Sequence, residues 1–402
     1  MITVKEHRFT KKQLDIDLPT KLVDISDKKR SNLFTWRGQF SPQLIEALIE
    51  NYASKDDVLY DPFCGSGTLL IEAASNNYKV FGTELNPAAF GLASIYKLIQ
   101  EDNTNINSSI DYVESLVKDY YPTENLFKNT KGKELDNLKT ELVSALRNAK
   151  DSIIKTILNA LIIGLDFEQK ILTKVKLQSA WENLKTKIQN LPDSDKAIDL
   201  FLGDARESNI NDKSIDFVIT SPPYINVFNY HQNYRKSVEA TGFNVLEVAR
   251  SEIGSNRKFR SNRFLTVIQY ALDIYQVFID LKRICRPEAK IIFIVGRESS
   301  VRKTSFSNAK LLTEVAKEVG FKLVGEQPRM FKNKFGQDIY EEILRFKIDN
   351  NKEVSHISAI REIALNHLSN ALEYAPEESV SDLKDAISKG GNVEPSVIYK
   401  KN

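Results

Sequence analysis

The stretch Asp57-Val58-Leu59-Tyr60-Asp61-Pro62-Phe63-Cys64-Gly65-Ser66-Gly67-Thr68-Leu69-Leu70-Ile71-Glu72-Ala73-Ala74 decides the fold. A short apolar run that reads as a strand passes through a turn with two glycines into a run that reads as a helix. Glycine lacks a Cβ and takes up left-handed backbone at little cost, so Gly65 and Gly67 let the turn curl and let a ligand approach the main chain. The helix that follows offers unpaired N–H groups and the positive end of its dipole, a seat suited to a carboxylate. Strand, glycine turn and helix in this order open a parallel α/β sheet of the kind that binds nucleotide-like ligands.

Outward from this unit, strand-like and helix-like runs alternate, as expected of a sheet covered on both faces. The candidate strands are Val58 to Asp61, Lys79 to Glu84, Asp199 to Gly203, Ile215 to Thr220, Lys290 to Gly296, Phe321 to Glu326 and Glu341 to Phe346. The last two are close enough for a hairpin, with Lys332 to Gly336 in its loop. Between the second and third strands, residues 100–196 read as several amphipathic helices, too many for one crossover. Beyond Asp349 the chain turns polar, with helix-like runs Val354 to Leu372 and Ser379 to Ser388.

The 402 residues, 42% of them hydrophobic, suffice for one large α/β domain and a smaller accessory region. The chain has neither a long apolar run nor an apolar leader, so a cytoplasmic protein with no membrane association is expected. Cys64 and Cys285 lack metal-site spacing and read as buried small hydrophobes. Because 56 Lys and Arg nearly balance 54 Asp and Glu, any nucleic-acid-binding charge has to be local.

A second motif, Thr220-Ser221-Pro222-Pro223-Tyr224, follows the strand-like run Ile215 to Ile219. Together the glycine turn and this tetrapeptide resemble motifs I and IV of the S-adenosylmethionine (SAM)-dependent amino-methyltransferases of DNA, which modify N4 of cytosine or N6 of adenine. The resemblance runs from about Trp36 to about Phe346 and is interrupted by the helical stretch. It implies a seven-stranded, Rossmann-like SAM-methyltransferase sheet with helices on both faces, a helical insertion and a helical C-terminal extension. Residues 31–99 with 197–348 form the expected catalytic domain, 100–196 the insertion and 349–402 the extension.

SAM is the implied cofactor. Asp61, Phe63, Gly65, Gly67 and Thr68 are its expected seat in the glycine turn. Glu84 ends the second strand about twenty residues later, where α/β nucleotide folds place an acid for ribose hydroxyls. The Leu85-Asn86-Pro87 that follows strengthens the likeness. By the same resemblance Asp204 accepts from the adenine amino group. Gly38-Gln39-Phe40-Ser41-Pro42 resembles motif X, which assigns Gln39 and Ser41 to the cofactor, while Ser41 is equally suited to N-cap the next helix with Pro42 at its first position.

Exocyclic amines on bases are poor nucleophiles because their lone pairs are delocalised into the ring. Acceptors aimed at the amino protons draw the nitrogen toward tetrahedral geometry, a role for the Ser221 hydroxyl and the Pro222 carbonyl. Pro222 and Pro223 stiffen the backbone and remove competing donors, and Tyr224 is expected to stack on a base rotated out of the duplex. Within this family a leading Ser is associated chiefly with cytosine N4, and a leading Asp or Asn with adenine N6; a hydroxyl could serve either amine. Carbon-5 methylation needs a thiolate in a setting that neither cysteine offers.

Double-stranded DNA is the expected partner, with a cognate restriction endonuclease as a functional associate. Between Ile225 and Arg263, aromatic residues alternate with cations, and Arg235, Arg257, Lys258, Arg260 and Arg263 are the expected phosphate contacts. His231 reads as a surface or hydrogen-bonding residue. Three rivals stay open. An RNA guanine-N2 methyltransferase is disfavoured by Ser221 and by the short segment before motif I; a protein glutamine methyltransferase would usually carry Asn at Ser221; and a DNA-binding subunit that has lost catalysis should show damaged motifs.

Overall fold

The computed structural model describes residues 11–25, 29–119, 132–168, 172–226, 230–255, 259–333 and 336–400. Nine strands form among them: β1 Leu59–Asp61, β2 Val80–Glu84, β3 Ile198–Leu202, β4 Ile215–Thr220, β5 Cys285–Gly296, β6 Glu298–Val301, β7 Thr304–Ser307, β8 Phe321–Lys332 and β9 Asp338–Ile348. Seven make one sheet in the order β3-β2-β1-β4-β5-β9-β8, while β6 and β7 form a separate hairpin that the apolar pattern had not suggested. Strands β3 through β5 are parallel, and β9 lies antiparallel between β5 and β8. This is the expected seven-stranded SAM-methyltransferase sheet.

The strands sit within a few residues of their apolar runs, except that β5 starts at Cys285, well before its run, and β8 continues to Lys332 beside a modestly lengthened β9. Their pairing continues from Phe321↔Ile348 to Lys332↔Asp338, so ladder hydrogen bonds hold polar residues that hydropathy alone would leave in a loop. Side chains alternate between the two faces of the sheet. Phe217, Ile219, Ile292 and Ile294 enter one buried cluster, and Val218, Ile291, Phe293 and Val295 enter the other.

The helices before the insertion are α1 Thr20–Val23, α2 Pro42–Tyr52, α3 Thr68–Ser75 and α4 Pro87–Ala93. The insertion contributes α5 Asn103–Asp119, α6 Gly132–Asn148, α7 Ser152–Leu165 and α8 Lys174–Gln189. Its central helix, α7, is apolar on most faces, and Asp151 caps it by accepting from the Ile153 and Ile154 N–H groups at 2.8 and 2.9 Å. A Cβ on Gly91 of α4 would lie 2.3 Å from Ile163, so that glycine is what lets α7 dock closely.

After β4 come α9 Arg235–Ala240, α10 Val245–Val248, α11 Leu265–Ile284 and α12 Asn308–Val319, and after β9 come α13 Ile357–Ala371 and α14 Glu377–Lys389. The 20-residue α11 covers the second face, where Phe278 stacks on Phe293 and meets Phe321 and Phe346. Helices α13 and α14 supply the C-terminal helical extension, with Ile360, Ala364 and Leu368 buried in that same cluster. Cys64 and Cys285 are both buried thiols.

Candidate active site

Chain order reverses between β1 and β4: β2 and β3 lie to one side of them and β5 to the other. Such a switch point opens a crevice outside the C-terminal strand ends, where open α/β sheets bind ligands. Motif I leaves β1 at this point and Ser221 leaves β4. Asp61 Oδ1 joins the two motifs, accepting from the Thr220 hydroxyl at 2.6 Å and from the Phe63 N–H at 3.0 Å. Asp61 is buried and its Oδ2 has no partner among the described residues. Burial pushes its carboxyl up to about 7, against those two hydrogen bonds.

A cleft opens here. Gln39, Phe63, Gly65, Thr68, Glu84, Asp204, Ser221 and Pro223 line it, so residues from five separate segments converge. Gly65 (φ +54°) and Gly67 (φ +86°) take left-handed backbone, and Gly67 is the N-cap residue of α3. A Cβ on Gly65 would come within 3.2 Å of the Trp36 ring, which also lines the cleft. Gly67 lies deeper: a Cβ there would sit 2.6 Å from the Tyr96 ring.

Glu84 is held by two backbone donors, Gly65 N–H at 2.7 Å and Asn86 N–H at 2.7 Å. Burial without a cationic partner pushes its carboxyl up to about 7. Asn86 in turn caps α4, accepting from Ala88 N–H at 2.9 Å. In motif X, Gln39 lines the cleft while bonding its own turn at Trp36 N–H and at the Phe34 carbonyl. Ser41 does sit at the N-cap of α2 with Pro42 first in the helix, but its buried hydroxyl makes no capping bond and has no partner among the described residues.

Asp204 lines the cleft with its carboxylate already engaged. Oδ1 accepts from Arg206 N at 3.1 Å and Nε at 2.8 Å; Oδ2 accepts from Arg206 Nη2 at 2.6 Å and Tyr399 N at 3.1 Å. These four donors fill the roughly four acceptor positions of a carboxylate. The buried Arg206 also reaches Asp273 at 3.0 Å and the Ser396 and Val397 carbonyls at 2.8 Å each. Ser396 returns two bonds of 2.7 Å to Asp273. The C-terminal segment is thereby tied beneath the rim of the cleft.

In the tetrapeptide, Pro222 is buried and Tyr224 half-buried. The Tyr224 ring packs on the bare backbone of Gly296, where a Cβ would be 2.9 Å from Cε2. Its hydroxyl donates to Glu341 at 3.3 Å, and Glu341 pairs with the buried Arg329 at 3.2 Å. Burial, then the Glu341 charge, push the phenol well up.

Arg235 begins α9 and pairs with Glu239 at 2.7 Å, next to Tyr234, whose ring stacks on Trp36. Arg260 and Arg263 are exposed; between them Asn262 bonds the Asp382 carbonyl at 2.7 Å and Asp385 at 3.0 Å on α14. Arg257 and Lys258 lie outside the described residues. His231 is buried, and its backbone N–H and Nδ1 meet Glu252, which lines the cleft beside Tyr230. No local pattern marked Glu252, Arg206 or Glu341 in the sequence, since each acquires its place only through contacts with distant segments.

The residues fit SAM. Backbone donors at a helix start suit its carboxylate, the buried Glu84 suits donor hydroxyls, and acidic side chains at the rim suit a ligand carrying ammonium and sulfonium charge.

Residues 8–94 match a family model described as DNA methylase, for N6 and N4 enzymes; the match includes the glycine turn and Glu84 and ends before Ser221. The type II methyltransferase M.BsoBI of Geobacillus stearothermophilus is 23% identical, over 75% of this chain and 81% of that protein. The type II methyltransferase M.MjaII of Methanocaldococcus jannaschii is 20% identical, over 84% of each. The chain also aligns with a solved SAM-dependent methyltransferase from Methanosarcina mazei, over 77% of this chain and 98% of the other, at 12% identity and a TM-score of 0.35. SAM is the cofactor that the match over the glycine turn and Glu84 supports. Among the described residues, no helix is long and apolar enough to cross a membrane and no acid, His or Cys cluster could hold a metal ion.

Proposed function

We propose that the protein methylates the exocyclic N4 of cytosine in duplex DNA at a specific site. The observation that carries this reading is that Ser221 and Pro223 open onto the same cleft as Gly65 and Glu84, at the switch point of the sheet. When bound, SAM supplies an electrophilic methyl group. The Ser221 hydroxyl and the Pro222 carbonyl accept the amino protons of a base rotated out of its helix and draw the nitrogen lone pair outward. The Tyr224 ring, held by Gly296 behind it and Glu341 at its hydroxyl, offers a fixed platform for that base. Positioning and orientation supply the acceleration, and neither buried thiol has a part.

Residues 31–99 with 197–348 form the catalytic domain in this reading, with 100–196 and 349–402 accessory to it. Both relatives are described as type II methyltransferases, which supports DNA as the substrate and a cognate restriction endonuclease as a functional partner. Arg235, Arg257, Lys258, Arg260 and Arg263 are the phosphate contacts, and the protein works in the cytoplasm. Adenine N6 is the second reading, because a hydroxyl followed by a carbonyl can accept from either amine.

The test is methyl-labelled SAM offered separately to duplex DNA, to transfer RNA and to a mixed protein extract. Label confined to DNA is expected. Label in RNA or protein with none in DNA would overturn the substrate assignment.

A further inference from the structure

The Glu252–His231 pair combines burial, a fixed geometry and a place on the cofactor cleft. Glu252 is 8% exposed and lines the cleft with Ser251 and Ile253. Its Oε1 accepts from the His231 backbone N–H at 2.7 Å and its Oε2 meets His231 Nδ1 at 2.8 Å. The Gln232 amide nitrogen, which can only donate, sits 2.9 Å from His231 Nε2. The imidazole is thereby held between the Glu252 carboxylate and the Gln232 amide. His231 therefore sets the carboxylate's orientation and uses about two of its roughly four acceptor positions. Burying an ionised carboxylate at a ligand cleft is costly unless donors complete its shell.

The position of Glu252 says which end of the ligand it meets. Helix α3 starts beyond β1, Glu84 ends β2 and Asp204 follows β3, so these three stations cross the cleft in sheet order. Neighbouring strands are about 4.8 Å apart, so the span from the α3 start to the β3 end suits a ligand with its carboxylate at one end and its purine at the other. Ser251 belongs to the β3 end, because its carbonyl accepts from Arg206 Nη2 at 3.3 Å, and the same nitrogen holds Asp204. The four donors on Asp204 leave that carboxylate no free acceptor for a purine amine.

We propose that Glu252, oriented by His231, accepts a hydrogen bond from the exocyclic amino group of the cofactor's adenine, and that Asp204 serves to anchor Arg206 and the C-terminal segment. The inference rests on the SAM reading of the cleft. A carboxylate at this point favours an amine and repels a carbonyl oxygen, so it discriminates adenine from hypoxanthine.

The test is calorimetric binding of S-adenosylhomocysteine and S-inosylhomocysteine, in which the amino group gives way to a carbonyl oxygen with hydrogen on N1, to the wild-type protein, Glu252→Ala and Glu252→Gln. Wild type is expected to prefer the adenosyl ligand by roughly tenfold or more, the size of one hydrogen bond to a charged group. In Glu252→Ala the preference should fall to about threefold or less. Should the alanine variant fail to fold, as judged by near-ultraviolet circular dichroism, the near-isosteric Glu252→Gln carries the test, with the preference again reduced. Full preference in a folded variant, or no preference in wild type that binds both ligands, overturns the role of Glu252 while leaving the SAM site intact. Failure of wild type to bind either ligand overturns the SAM reading itself, and this inference with it.

Discussion

At the scale of single residues, the site is governed by carboxylates held out of water. Burial pushes Glu84 up to about 7 from an ordinary value of 4.5, so near neutral pH the ligand-free protein keeps part of a proton there. A ligand that donates hydroxyls to Glu84 favours the ionised form, lowers the pKa and expels that proton. Binding of S-adenosylhomocysteine at pH 7 should therefore release a fraction of a proton, detected by calorimetry in buffers of different ionisation enthalpy, and the release should fade above about pH 8. Glu84→Gln should abolish it. Tyr224 belongs to this scale too: if its ring stacks on the base, as proposed, Tyr224→Ala should lower methyl transfer by about a hundredfold or more and leave cofactor affinity within about twofold. Full activity in that variant would remove the stacking role.

At the scale of elements, local pattern was a good guide wherever an element is read from its own residues. Strand β4 and the glycine turn stand where their apolar runs and glycines put them, since burial on both faces writes itself into consecutive Val, Ile and Phe. The hairpin of β6 and β7 and the far end of β8 with its β9 partners carry polar residues held by ladder bonds, and hydropathy does not register those. The tie between the C-terminal segment and the β3 end was equally hidden, because Asp204, Arg206, Asp273 and Ser396 are scattered along the chain. Breaking one member of a buried charge network leaves its partners unpaired, so Asp273→Ala should destabilise the protein by about 3 kcal/mol or more in urea unfolding. Loss of less than about 1 kcal/mol would mean that the C-terminal segment is not held through this cluster.

For the molecule as a whole, charge is nearly balanced, so attraction to DNA has to come from particular faces. The segment after Tyr224 places Arg235 beside the aromatic wall of the cleft and leaves Arg260 and Arg263 exposed, and two acidic residues of α14 bond the Asn262 between them. If both arginines contact phosphate, neutralising them should weaken DNA binding and reduce the slope of log affinity against log salt by about 2. An unchanged slope in fluorescence anisotropy titrations would move the phosphate contacts to another face. The seven strands and their final hairpin were legible at this scale from the apolar runs; the path of the insertion was not, since its helices dock through close approaches such as that of Gly91 to α7.

The central claim is that one cleft presents SAM beside an acceptor loop built for the amino group of a DNA base. Its most direct test is methylation of mixed-sequence duplex DNA with isotopically labelled SAM, digestion to nucleosides and mass spectrometry. The account predicts label in N4-methylcytosine. Label in N6-methyladenine would contradict the base assignment and keep the mechanism, whereas DNA without label in any base would contradict the account.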